Sequence, residues 1–172
     1  MNSSSSSLLS VAEAQARLIA RATPVGHETL PLRDAAGRRV AEDIRALRTQ
    51  PVADLSSMDG YAIRFADVPG PFRLIGESAA GRPFAGPVGA GQAVRIFTGA
   101  VMPAGADCVI VQEEAATGHG IVTMTGDGPR GPGGNVRRAG LDFVAGDMLV
   151  ARGEMLTPAR LALAAIGGHG AV

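Results

Sequence analysis

Ala93-Val94-Arg95-Ile96-Phe97-Thr98-Gly99-Ala100-Val101-Met102-Pro103-Ala104-Gly105-Ala106-Asp107-Cys108-Val109-Ile110-Val111-Gln112 reads as two short apolar runs on either side of a stretch rich in Gly and Pro. Neither run carries the three-four spacing of an amphipathic helix, and short apolar runs bounded by such residues are strand signals. The same character extends outward from Pro51 to about Asp142, with no amphipathic helical window anywhere between. Strands are expected at residues 61–64, 72–77, 93–97, 108–112 and 120–124, with tight turns at Pro69-Gly70 and Gly118-His119-Gly120. Five short strands suit a small barrel or coiled sheet.

On either side of this stretch the pattern changes. Ser10 followed by Glu13 is a capping box, and Leu18 and Ile19 give an apolar face before Pro24, so a helix is expected over about 11–22. Residues 28–32 read as extended, Asp34 as the cap of a single turn ending at Gly37, and 39–44 as a strand. Beyond Asp142, residues 148–150 read as a strand. Thr157 as N-cap with Pro158 at the first helical position opens a helix that Gly167-Gly168 ends. The expected fold is mainly β with a few helices: a coiled β-sheet module, 51–142, inserted into a small discontinuous α/β domain made of 8–50 plus 143–172. The Ser-rich residues 1–7 are expected to form a disordered tail. The apolar pair Ala171-Val172 resembles the opening of another strand, so the natural chain is expected to continue past it.

Composition removes several classes of function. The 16 basic residues balance 16 acidic ones, leaving no excess charge to hold a nucleic-acid backbone or an anionic membrane. All the basic residues are Arg, so a Schiff-base lysine and a Walker A lysine are excluded. Cys108 is alone, which forbids an intrachain disulfide and fits a reducing compartment. His27, His119 and His169 are scattered without metal-ligand spacing. The N-terminus has no basic signal region and the longest apolar runs are too short to span a bilayer, so the chain reads as soluble and cytoplasmic. Only six aromatics are present, too few for a base-stacking platform, whereas Gly and Pro make up about a fifth of the chain, above the usual ~12%. That combination gives a turn-rich fold.

Four constellations can carry chemistry, and each also has a structural reading. Ser56-Ser57-Met58-Asp59-Gly60-Tyr61-Ala62 is first a tight-turn signal, and alternatively holds the Asp59 carboxylate at a rim between Met58 and Tyr61. The run from Arg95 to Pro103 either ends a strand in a turn or delivers Thr98 into a Gly-containing turn whose free amides receive an anion. Gln112-Glu113-Glu114 at a strand end is a solvated edge or a pair of carboxylates for acid-base or metal work. Gly133-Gly134-Asn135-Val136-Arg137-Arg138, ahead of Asp142, is a loop with Arg138 paired to Asp142, or an arginine phosphate clamp. His119 and His169 read most simply as loop residues, and Cys108 as a small buried hydrophobe.

The order of the motifs Ser57-Met58-Asp59-Gly60-Tyr61-Ala62, Arg95-Ile96-Phe97-Thr98-Gly99-Ala100, Ala106-Asp107-Cys108-Val109-Ile110-Val111-Gln112-Glu113 and Asn135-Val136-Arg137-Arg138-Ala139-Gly140 resembles the molybdopterin molybdenumtransferase family, MoeA in bacteria and the gephyrin E domain in eukaryotes. The likeness covers about residues 8–172 and matches the family's first two domains. It implies a homodimeric transferase of molybdenum cofactor biosynthesis that places molybdate on adenylylated molybdopterin with magnesium. An upstream molybdopterin adenylyltransferase becomes a candidate partner. The family's catalytic positions fall on Asp59, Thr98 and Asp142, lining the second-domain wall of a cleft completed by the third domain of the dimer mate. A carboxylate from Asp59 or Asp142 would orient hydrated magnesium or pterin N–H groups, and Thr98 would donate to an oxyanion. On this reading the chain alone is inactive. The alternative is a non-catalytic dimerisation or binding module of the same ancestry.

Overall fold

A computed structural model describes residues 8–23 and 25–172. The expected tail at 1–7 and Pro24 lie outside the described residues. Helix α1 (Val11–Arg21) starts where the capping box places it: the Ser10 hydroxyl accepts from the Glu13 amide, and the Glu13 carboxylate accepts from the Ser10 amide. None of its residues is buried, and Leu18 and Ile19 are 72% and 73% exposed. The predicted amphipathic face therefore exists without a covering surface among the described residues.

The next segment departs from expectation. Asp34 does not cap a turn but closes a 3-10 turn, Leu32–Asp34, entered from Pro31. Of the strand expected over 39–44, only β1 (Ile44–Arg45) and a single bridge from Arg39 to Met155 form. The facing segment, 148–155, explains the break. Between its contacts it turns through Gly153, in a left-handed conformation, and the Arg152 amide is taken by the Asp43 carboxylate instead of a ladder carbonyl. β1 pairs antiparallel with β10 (Met148–Val150), which leads to α2 (Pro158–Ile166), capped by the Thr157 hydroxyl and ended at Gly167, with Gly168 left-handed. Ala35, Val40, Ile44, Val150, Leu156 and Ala164 form one buried cluster joining the two ends of the chain. Leu30 and Val172 exchange both backbone hydrogen bonds, at 2.7 and 2.9 Å. Ala171 bridges Pro31, so the last residues do lie extended.

The middle of the chain is a six-stranded sheet. Its strands are β3 (Gly60–Ile63), β4 (Phe72–Ser78), β5 (Gln92–Ile96), β6 (Cys108–Val111), β7 (Ala115–Gly118) and β8 (Ile121–Met124), in the spatial order β6-β3-β5-β4-β8-β7. All pairs are antiparallel except β4 with β5, where an irregularity at Leu74–Gly76 curls the sheet. Both faces are covered, which is why the strands are nearly continuous in apolar character. Along β6, Cys108 and Ile110 enter a cluster with Ile63, Phe72, Ala93 and Val122, while Val109 enters another with Ala62, Ile96 and Ala100. The run expected to end at Gln112 stops at Val111, because Gln112–Glu114 turns into a 3-10 segment. β7 was not expected; it pairs with β8 through the Gly118-His119-Gly120 turn, with positive φ at His119 and Gly120. Two short strands, β2 (Leu55–Ser56) and β9 (Val136–Arg137), pair beside this sheet. Where the middle meets the ends, the Gln50 amide donates to the Phe143 carbonyl (2.9 Å) and the Phe143 amide to the Gln50 carbonyl (3.3 Å).

Candidate functional site

The start of β3 and the ends of β5 and β6 lie side by side, since Gly60 stands opposite both Ile96 and Val111. Asp59 precedes this junction and Thr98 follows β5 into it. Asp59 Oδ1 accepts hydrogen bonds from the Thr98 amide at 2.7 Å and from the Thr98 hydroxyl at 2.8 Å. The Thr98 amide is the main cause, and its hydroxyl the second, holding the Asp59 carboxyl below the ordinary aspartate range. Asp59 is therefore a charged, oriented carboxylate at neutral pH, at the end of the sheet.

The turn at Thr98-Gly99 does not keep its amides free. The Thr98 amide serves Asp59, the Gly99 amide donates to the Ser56 carbonyl (2.9 Å) and the Ala100 amide to the Phe97 carbonyl (2.9 Å). The anion received there is the chain's own carboxylate. The Thr98 hydroxyl hydrogen is likewise committed to Asp59. Gly60, read as half of a turn dipeptide, is not left-handed; it begins β3, and a Cβ on it would lie 2.0 Å from the Ile110 carbonyl oxygen. Its glycine is required by close approach. Ser56, beneath the turn, donates its hydroxyl to the Met58 carbonyl (2.6 Å) and accepts from the Met58 amide.

Asp142 stands apart from this contact. Its two oxygens both lie 2.5 Å from Arg137 Nη2. The pairing expected with Arg138 is not made: consecutive residues of an extended chain point to opposite sides, so only one of the two arginines faces Asp142. Arg138 turns instead to Asp54 (2.5 Å), whose other oxygen takes the Ala139 amide (2.8 Å). The Ala139 amide is the largest influence lowering the Asp54 carboxyl. Neither arginine is left as a phosphate clamp. Glu113 and Glu114 also part company, Glu114 accepting from the Gly128 amide and Glu113 from the Gln112 side chain. Cys108 is buried, which pushes its thiol up to about 12 and leaves it unreactive. His169 is more than a loop residue, its Nε2 lying 2.7 Å from the Arg45 carbonyl oxygen.

Two residues that sequence reasoning did not place in the site belong to its frame. Asp54 latches Arg138 and Ala139, and Arg95 reaches the Gly60 carbonyl (3.2 Å) and Gln112 Oε1 (2.7 Å). Arg95 could have been noticed as a charge inside an otherwise apolar strand; Asp54 offers no such signal. Among the described residues no group of three or more His, Cys, Asp or Glu side chains could hold a metal ion. No helix among them is long and apolar enough to cross a membrane.

Residues 9–168 match the family model for the MoeA N-terminal region (domain I and II). The chain belongs to this family. The molybdopterin molybdenumtransferase of Haemophilus influenzae is 41% identical over 145 residues, which cover 83% of this chain and 35% of that protein. The Bacillus subtilis protein of the same name is 35% identical over 154 residues, 84% of this chain and 36% of its own length. A molybdopterin biosynthesis MoeA protein from Pyrococcus horikoshii superposes with a TM-score of 0.85 at 31% identity, covering 96% of this chain and 44% of that one. The MoeA fold, mainly β around a curled sheet, is thus common to both, and the named full-length relatives are transferases. The chain spans little more than a third of the length of the curated relatives it matches.

Proposed function

We propose that this chain is the N-terminal part of a molybdenum cofactor biosynthesis enzyme that inserts molybdate into adenylylated molybdopterin, with Asp59 as the group it presents to the substrate. The observation that carries the reading is the Asp59–Thr98 contact: a carboxylate kept ionised and fixed by two hydrogen bonds at the open end of a rigid sheet. A fixed anion there accepts hydrogen bonds from the N–H groups of a pterin without reorganising during the reaction. Thr98 orients that carboxylate, since its own hydroxyl hydrogen is spent on it. Asp142, neutralised by Arg137, contributes a second polar wall.

The division into 8–50 plus 143–172 and an inserted 51–142 is part of the same proposal, supported by the separate buried clusters of the two parts. So is the homodimer: Leu18 and Ile19 on α1 are apolar and uncovered, which suits an interface with a second copy. The alternative of a non-catalytic module differs in one outcome. In the intact enzyme, Asp59→Asn keeps volume and removes charge; cofactor formation from adenylylated molybdopterin and molybdate, read by activating an apo-molybdoenzyme, falls by about a hundredfold while the protein stays folded at the assay temperature. Unchanged cofactor formation overturns the catalytic reading, and a loss of cofactor formation no larger than the loss of folded protein assigns Asp59 to the turn alone.

A further inference from the structure

Arg95 is the half-buried cation of the sheet end. It stands opposite Tyr61 in the β3–β5 ladder, and Phe97, two residues on, shares its face. Its guanidinium carbon lies 5.1 Å from the centroid of the Tyr61 ring and 4.8 Å from that of Phe97. Two aromatic neighbours limit the water that reaches the guanidinium and fix its plane. The two ends of the fork are used for different strands. Nη1 donates to the Gly60 carbonyl at the start of β3, and Nη2 to Gln112 Oε1 just beyond β6. The Gln112 amide in turn donates to the Asp59 carbonyl at 3.0 Å.

We infer that Arg95 is a positioning residue for Asp59, bracing from the backbone side the carboxylate that Thr98 holds from the side-chain side. The two peptide groups on either side of the Gly60 Cα, the first of them joined to Asp59, are tied down: the Asp59 carbonyl by the Gln112 amide, and the Gly60 carbonyl by Arg95 itself. Gly60 has no side chain and sits against the Ile110 carbonyl, so its position is held through the backbone alone, by the flanking strands opposite Ile96 and Val111 and by the Arg95 fork. The positive charge of Arg95 also lies near enough to favour the ionised form of Asp59, behind the two Thr98 bonds in size. A lysine would keep the charge and lose the fork, since one ammonium cannot span both acceptors while stacked between two rings.

This inference rests on the reading of Asp59 as the presented group, and the test separates the two. In the intact enzyme, Arg95→Gln and Arg95→Lys are compared with Asp59→Asn and Thr98→Val. Expected are a fall in kcat of about tenfold or more for both Arg95 variants, a KM within about twofold of the parent, and a combined loss in the Arg95→Gln, Thr98→Val protein smaller than the product of the single losses, because both act through one carboxylate. If Asp59→Asn abolishes turnover while Arg95→Gln leaves kcat unchanged or alters only KM, the positioning role is overturned and the Asp59 reading stands. If Asp59→Asn has no effect, the Asp59 reading itself fails. Should Arg95→Gln not fold, Arg95→Lys decides: full kcat in a folded Arg95→Lys protein overturns the inference.

Discussion

Gly60 shows how a single residue type is dictated by its surroundings. The sequence shows Asp59-Gly60 and suggests a turn glycine, whereas the constraint is a neighbouring strand: the β6 backbone passes where a Cβ would be. Gly60→Ala is therefore expected to lower the unfolding free energy by at least about 2 kcal/mol, measured by denaturant titration, because a backbone carbonyl cannot swing aside as a side chain can. A loss under half of that would show that β6 yields. Asp59 and Thr98 are both visible in the sequence, but their contact is not: they are 39 residues apart and no periodicity joins them. Only the ordered motifs bring them together before a structure does. Arg95 was visible as the one charge among Ala93, Val94, Ile96 and Phe97, but its contacts with Gly60 and Gln112 lie across two other strands and leave no trace in the sequence.

Among the elements, strands were legible where both faces are buried, as in β5 and β6, and illegible where pairing depends on partner geometry. β7 (Ala115–Gly118) is mostly exposed and has weak strand propensity, so only its hairpin with β8 makes it a strand. The strand expected over 39–44 failed because its partner turns away at Gly153. Between β2 and β9 the informative feature is the Asp54 latch. Its folded-state carboxyl is lowered, so the stability it contributes is fully present above the unfolded value of about 3.9 and is lost as pH falls through the lower folded value. Asp54→Asn is accordingly expected to be less stable than the parent at neutral pH, with the gap narrowing below about pH 4 when urea midpoints are compared across pH. A gap that stays constant into acid would mean that the Ala139 and Arg138 contacts do not depend on the charge.

For the whole molecule, the sequence revealed that both chain ends share helical and mixed character, and the cluster from Ala35 to Ala164 gives that likeness a physical form. It did not reveal that α1 stands uncovered among the described residues, because amphipathicity specifies a face and not what lies against it. If the proposed homodimer forms through α1, replacing Leu18 and Ile19 together by Glu in the intact protein halves the mass seen by sedimentation; an unchanged mass overturns α1 as its contact. The paired hydrogen bonds of Gln50 and Phe143 carry a consequence for chain statistics. Once the sheet between them has folded, the two outer segments are joined by a tether one rung long, whatever the contour length of the polypeptide enclosed. Their effective concentration for one another is then set by that rung, and lengthening any turn within 51–142 leaves it untouched.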